Sequence, residues 1–253
     1  MKELKEAKQL SLDDPKRSII HREIIRKKLF LKEFYREQYK RINCEIPLDG
    51  SKTVIELGSG GGILKDFYPQ VISSDIMRIP DLDIHFSALE LPFKKESVDA
   101  FIMINVFHHI PDVDQFFKNA ELCLKPGGKI IMIEPAATIF SSFIYKNFHH
   151  EGFDKSADWK FVSEGPLSSS NQALPWIVFK RDRKEFENKY ETLSLELFEN
   201  HGPLKYILSG GLSHKQFLPD CFYSIVNLFE MILKPFNNLT GLFNTIIIRK
   251  EEN

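Results

Sequence analysis

The chain reads as an α/β protein built on a mostly parallel central sheet with helices on both faces. Two observations predict this: from residue 51 onward short apolar runs alternate with amphipathic stretches, and the first of those runs ends in a cluster of glycines. A third sets the scale, since 253 residues with 43% hydrophobic and 27% charged side chains can bury one large core. Strand and helix in alternation require right-handed crossovers, and those make neighbouring strands parallel.

From Ile19 to Ile42, apolar residues recur at helical spacing opposite Arg22, Arg26, Lys27, Lys28, Lys32, Arg36, Lys40 and Arg41, so one amphipathic helix is predicted. Residues 1–45 carry 13 Lys or Arg against 8 Asp or Glu, a net of +5. A solvated helix face is the plain reading of that charge, and contact with an anionic substrate or membrane surface the other. After a turn at Pro47–Gly50, the run Thr53–Leu57 predicts a buried strand. Then come a short helix at 63–68, strands at 71–76 and 98–104, a helix at 113–124 and a strand at 129–134. Residues 138–180 hold His, Ser, Phe and Trp without clean periodicity, and read as an elaborated lobe. A helix at 182–190, a strand at 192–198, a long apolar helix at 218–233 and a last strand at 243–248 follow.

Basic and acidic residues nearly cancel, 34 against 35, which removes any global electrostatic case for nucleic acid. Three separated cysteines exclude a disulfide scaffold or zinc knuckle. The charged start Met1–Glu6 is no secretory signal, and no apolar run approaches the ~20 residues of a membrane span, so a cytoplasmic protein is expected. The 22 phenylalanines point to core packing first, and to an apolar pocket or an interface second.

The run Val54-Ile55-Glu56-Leu57-Gly58-Ser59-Gly60-Gly61-Gly62 places an acidic strand end before glycines at spacings of two. Glycine serves where the backbone turns sharply and a ligand must come close. Asp75 lies 19 residues after Glu56, at the end of the next strand, where a carboxylate can accept hydrogen bonds from two ribose hydroxyls. Leu91-Pro92-Phe93, Ser97-Val98-Asp99-Ala100, the strand ending Asn105-Val106-Phe107-His108-His109-Ile110, and Leu124-Lys125-Pro126-Gly127-Gly128-Lys129 follow in order.

As a set, these motifs resemble the class I S-adenosylmethionine-dependent methyltransferases, in particular the small-molecule subgroup called type 11, over roughly residues 51–136. The resemblance implies a Rossmann-like fold with S-adenosylmethionine as cofactor. It implies that Glu56 sits beneath the cofactor's amino group, that Gly58, Ser59, Gly60 and Gly62 wrap its methionine part, and that Asp75 holds the ribose. Ile76 would pack on the adenine, Ala88 and Leu89 would meet its edge, and Asn105 would border the sulfonium. Ser87 stands where the family usually has an aspartate for the adenine amino group, a departure that would weaken cofactor affinity. The implied division is an N-terminal helical cap at 1–50, a cofactor-binding core at 51–137, an acceptor lobe at 138–180 and a C-terminal part completing the sheet at 181–253.

A sulfonium methyl is already electrophilic, so transfer needs chiefly an in-line nucleophile and at times a base. His108, at the mouth of the sheet, His150 and Glu134 are the candidate bases, and His109 reads as structural. His149, His150, Glu151 and Asp154 are crowded within six residues without a helical i, i+4 pair, so no metal site is expected there. No Asn-Pro-Pro-Tyr, Asp-Pro-Pro-Tyr or Pro-Cys sequence is present, which argues against methylation of nucleic-acid bases.

The expected activity is therefore methyl transfer to a small-molecule, sugar or lipid-linked acceptor, most simply on oxygen, with no nucleic-acid partner and no transmembrane segment. A quinone-type or other apolar acceptor methylated on carbon or oxygen is the alternative, and a non-catalytic cofactor-binding or sensor subunit is a second. A dinucleotide oxidoreductase is disfavoured by the Lys125–Gly128 turn. Peripheral membrane contact and a homodimer stay open.

Overall fold

Successive residues of the buried strands point into two separate cores, as a sheet covered on both faces requires. The computed structural model describes residues 2–252. In it, α1 (Lys2–Ala7), α2 (Pro15–Lys27) and α3 (Leu29–Glu45) precede β1 (Val54–Glu56), β2 (Ile72–Asp75), β3 (Ile84–His85), β4 (Val98–Ile104), α4 (Val113–Cys123) and β5 (Leu124–Pro135). There follow α5 (Ile139–Phe148), α6 (Leu174–Trp176), α7 (Arg183–Lys189), β6 (Leu193–His201), α8 (Leu204–Ser209), α9 (Tyr223–Leu233), α10 (Asn237–Thr240) and β7 (Phe243–Lys250).

The sheet order is β3-β2-β1-β4-β5-β7-β6. Pairs from β3 to β5 are parallel, and β7 runs antiparallel to both of its neighbours. Along β4, Phe101 and Met103 join α4 and residues 173–190 in one core, whereas Ala100 and Ile102 face α2 and α3 in the other. The predicted mostly parallel Rossmann-like α/β architecture is the one observed. Phe107, Phe116, Phe117, Phe179 and Phe186 meet ring to ring at 5.2–6.2 Å between centroids, so much of the aromatic excess is core packing.

Local structure departs from the sequence expectation in several places. The stretch read as one helix is two, because Lys28 is extended (φ −102, ψ 111) between α2 and α3. Lys28 is also not on the wet face: it is buried, and its ammonium donates to the carbonyls of Ser209 (3.0 Å), Gly211 (2.6 Å) and His214. Three donors meeting three carbonyls around the C-terminal end of α8 favour the break over a continuous helix. The helix expected at 63–68 is one 3₁₀ turn, Ile63–Asp66, cut short ahead of Pro69. β3, too short to carry a periodic signal, went unpredicted.

Residues 138–180 contain α5, α6 and a π turn at Ile177–Arg181, and Ala173, Leu174 and Ile177–Phe179 belong to the core. The apolar run from Leu218 becomes helical at Asp220, with a 3₁₀ turn leading into α9. Of α9 only Val226 is buried, while Ile225, Leu228, Phe229, Met231 and Ile232 are exposed. Among the described residues no helix is long and apolar enough to cross a membrane.

Replacing Lys28 with methionine keeps the stem but strands three carbonyls, a loss of about 2–3 kcal/mol. At roughly 2–4 °C per kcal/mol for a chain of this size, the Lys28→Met variant should melt roughly 4–12 °C below the parent in a calorimetric scan, and an unchanged midpoint would refute the assigned role.

Candidate active site

β1 is the switch point of the sheet: chain order runs outward through β2 and β3 on one side and through β4 and β5 on the other. The crevice beyond the carboxyl ends of such strands is where ligands bind. Glu56, Asp75, Asn105 and Glu134 all sit at those ends, brought to one edge by the parallel pairing.

The loop after β1 turns through Gly58, Gly60 and Gly62 at φ of +64, +52 and +71, which side chains rarely tolerate. A Cβ on Gly58 would lie 2.6 Å from a Val106 methyl, whereas one on Gly60 would meet nothing within 4 Å, leaving that backbone open. At Gly61 a Cβ would lie 2.6 Å from Arg22 Cβ and 2.8 Å from the Ser18 carbonyl oxygen, so α2 rests directly on the loop. The Ser59 amide donates to the Ser74 carbonyl (2.8 Å), and the Ser74 hydroxyl to that of Glu56 (2.7 Å), which stitches the loop to β2. Asp75 accepts from the amides of Gly60 and Met77, each at 2.9 Å. Asn105 stands at the end of β4 with φ +56, a left-handed backbone at the rim.

A cavity of about 560 Å³ opens here, inside the range of roughly 300–1,000 Å³ typical of small-molecule sites. Glu56 lines it, and its Oε2 is buried without a hydrogen-bond partner. Burial pushes the Glu56 carboxyl up to about 7, with the nearby Asp75 charge adding to the rise and the Ser59 hydrogen bond opposing it. Burial also raises Asp75, against the pull of the Met77 and Gly60 amides. An orphaned buried carboxylate oxygen above an open glycine backbone suits a ligand bearing an ammonium group. Across the cavity, the Leu89 carbonyl accepts from Gln115 Nε2 (2.9 Å) and Asn119 Nδ2 (2.6 Å) of α4, and the Leu89 amide donates to the Ser87 hydroxyl (3.2 Å).

The other end of the cavity is a polar cluster. Glu134 is wholly buried, and Oε1 accepts from the amides of Val106 and Phe107 (2.8 Å each) while Oε2 meets His108 Nδ1 at 2.6 Å. His108 Nε2 lies 3.2 Å from Glu151 Oε2, which also accepts from Gln172 Nε2 at 2.8 Å. Burial alone would lower the His108 pKa, but the two carboxylates more than reverse that and raise it to about 9. The converse holds at Glu151: burial works to raise its pKa, yet the surrounding histidines hold it well below the usual carboxylate range. His109 donates from Nδ1 to the Ser169 carbonyl (3.1 Å), and burial beside the His108 charge lowers it to about 4.

Glu56, Gly58, Ser59, Gly60, Asp75, Ile76, Ser87, Ala88, Leu89, Asn105, His108 and His150 all line the cavity. Gly62 and Glu134 do not: Gly62 starts the 3₁₀ turn, and Glu134 lies beneath His108 with both oxygens engaged. His108 is also ill placed as a base, because both of its ring nitrogens face carboxylates. His150 is half exposed, stacks on His149, and has Nε2 3.8 Å from Glu151 Oε1. His109, read from sequence as structural, lines the same cavity. Sequence reasoning missed the contributions of Arg17, His21, Tyr35, Tyr145 and Tyr206, which reach the cavity from helices whose packing no local pattern reveals.

The family model described as a methyltransferase domain matches residues 55–132. Over 130 residues, 49% of the chain, it is 33% identical to a highly reducing polyketide synthase of Gibberella zeae, and that match spans only 4% of the synthase. A chain of the Haloferax volcanii complex containing the Trm112 methyltransferase activator has a similar fold, with a TM-score of 0.52 and 14% identity over 96% of this chain and 98% of that one. The [4+2]-cyclase SpnF shares the fold at a TM-score of 0.50, with 10% identity over 86% and 81% of the two chains. The matched residues, the sheet order and the acidic glycine cradle agree: residues 55–132 form a methyltransferase domain, and the chain has the fold of the class I S-adenosylmethionine-dependent methyltransferases.

Proposed function

We propose that the chain methylates a hydroxyl oxygen of a small organic acceptor, of small-molecule, sugar or lipid-linked type. The observation that carries this reading is the continuity of one cavity from Glu56 and Asp75, past Asn105, to His149, His150 and Glu151. Imidazoles and a carboxylate at that end can bind a hydroxyl acceptor and take its proton. The shared stretch with a polyketide synthase favours a small organic acceptor over nucleic acid. A fold shared with a cyclase carries no chemistry by itself, so methyl transfer has to be read out directly.

In this reading Glu56 pairs with the cofactor's ammonium, Gly58, Ser59 and Gly60 line its methionine part, and Asp75 takes the ribose hydroxyls. Ile76, 52% exposed in the cavity wall, offers an apolar face to the adenine. The Ser87–Leu89 segment, held by Gln115 and Asn119, meets the adenine edge. Bound there, the cofactor supplies an electrophilic methyl group. The protein's part is to hold the acceptor oxygen in line, about 3 Å from that methyl, to exclude water, and to take the hydroxyl proton. His150 is placed for the last task, with Glu151 behind it; Glu134 and His108 position Glu151. The N-terminal cap, through Arg17, Ser18 and His21, and residues 163–167 close the cavity over both ligands.

S-adenosylhomocysteine at 100 times its dissociation constant should stabilise the fold by about 2.7 kcal/mol, roughly 5–10 °C, while NAD leaves the midpoint unchanged. Because Glu56 titrates near 7 in the free protein, the charged form that pairs with the ammonium is lost as pH falls. Affinity for S-adenosylhomocysteine, measured by calorimetry, should therefore drop below pH 7 by up to about tenfold per unit. Glu56→Gln should bind weakly with no such slope, and an equally flat profile in the parent would remove Glu56 from the ammonium site.

Turnover is read as S-adenosylhomocysteine released, with one methyl gained, across a panel of hydroxylated acceptors. His150→Gln should lower kcat by about 10²–10⁴-fold with little change in KM. Parental kcat in that variant would rule His150 out as the proton acceptor.

A further inference from the structure

His108 and His109, on the 3₁₀ turn Phe107–His109 after β4, meet Glu151 from the loop after α5. One ligand-type atom from each of the three lies within 4.8 Å of the others. His108 Nε2 is 3.2 Å from one Glu151 oxygen, and His109 Nε2 is 3.7 Å from the other. Atoms held about 2.0–2.2 Å from a single ion sit about 3.0–3.6 Å from each other, so the cluster is close to that geometry without any ion.

The far side of each group is already committed. His108 Nδ1 faces Glu134 at 2.6 Å, His109 Nδ1 donates to the Ser169 carbonyl at 3.1 Å, and Glu151 accepts from Gln172 at 2.8 Å. Glu134 is in turn fixed by two backbone amides. A carboxylate or carbonyl behind each imidazole is the arrangement that orients metal-ligating histidines, because it sets the tautomer and aims Nε2 outward. A hydrogen-bond network alone accounts less well for His109: its Nε2 is directed at Glu151 but is too distant to bond to it. Loop packing holds the third ligand in place. The Asn171 amide donates to the His108 carbonyl (2.9 Å) and the Gln172 amide to that of Gly152 (2.9 Å), which draws the Glu151 loop onto the histidine turn.

We propose that His108 Nε2, His109 Nε2 and Glu151 form a site for one divalent first-row transition-metal ion at the acceptor end of the cavity. Two imidazoles and one carboxylate suit zinc, iron(II), cobalt(II) or nickel(II), whereas magnesium and calcium prefer all-oxygen sets. Three protein ligands leave at least one position open, and all three residues line the cavity. The sequence expectation of no metal rested on the crowded His149–Asp154 run, in which only Glu151 belongs to this set. Resting on the methyl-transfer reading above, the open position takes the acceptor hydroxyl. The metal acidifies that hydroxyl, its proton leaves by way of His150, the oxygen–carbon bond forms as the carbon–sulfur bond breaks, and S-adenosylhomocysteine departs with the electron pair.

The test uses full-length protein carrying Cys44→Ser and Cys221→Ser, so that the two exposed thiols cannot bind metal. After chelation and desalting, it is titrated with cobalt(II), followed by visible absorption, and with zinc, followed by calorimetry and elemental analysis. One equivalent is expected. Affinity should fall at least a hundredfold in His109→Ala and in the isosteric Glu151→Gln, and about 10–100-fold in Glu134→Gln. The thermal shift with S-adenosylhomocysteine, measured on every variant, reports the fold and cofactor site independently. If that shift persists while no stoichiometric metal binds, or one equivalent binds undiminished in both ligand variants, the metal site is overturned and the methyl-transfer reading stands. If metal binds as expected but no acceptor is methylated, the site stands and its role in acceptor activation falls.

Discussion

Glu134 is wholly enclosed at the end of β5, and both of its oxygens serve the turn that follows β4, one bonded to the amides of Val106 and Phe107 and the other to His108. A buried carboxylate without partners would cost several kcal/mol, so this turn and this strand end fold as a unit. The histidine turn that lines the cavity inherits its position from that contact. His108 is aimed at Glu151, His109 follows on the same turn, and Val106 closes against Gly58 so tightly that no Cβ fits there. The strand neighbours β4 and β5 are parallel and in register at Ile104 and Ile133, which brings the carboxylate beneath the turn.

The cavity is built by two parts of the chain. The end of β1 with its glycine loop, β2, the segment before β4 and the turn after it line the cavity from inside the stretch that matches the methyltransferase family model. α2, α3, α5 and residues 163–167, 206 and 212–213 line the cavity from outside that match. The two parts are mechanically joined at Gly61, where α2 lies against the glycine loop, and at Lys28, whose three carbonyl contacts fasten the α2–α3 junction to the end of α8.

The parallel core was legible because its signals are local. Strand Val54–Glu56, the glycines after it, Asp75 and the 98–134 unit all announce themselves by apolar runs, turn residues and spacing, and they lie where those signals put them, except that β5 already begins at Leu124 and takes in the Lys125–Gly128 stretch read as a turn. The single helix drawn from Ile19 to Ile42 failed because a lone extended residue breaks it, and Lys28 gains its carbonyl partners from residues far along the chain. The role of Glu134 was illegible for a related reason: a strand-end acidic residue looks the same whether it faces substrate or buries itself beneath a neighbouring turn. The His108–His109–Glu151 arrangement depends on a loop brought across by Asn171 and Gln172, and no spacing within either segment predicts it.

Placement of charge along the cavity bears on the chemistry. Methyl transfer from a sulfonium disperses positive charge, so an unpaired anion close to the sulfur would hold the ground state more firmly than the transition state. Glu56 and Asp75 lie on one side, where an ammonium and a ribose can use them, and Glu151 is engaged by His108 and Gln172. Between them stands Asn105, a neutral amide held in a left-handed backbone at the end of β4. In the proposed binding mode, any electrostatic attraction the cavity exerts on the cofactor acts on its remote groups, away from the bond that breaks. Binding energy drawn from those remote groups can position the methyl without deepening the well from which it must escape.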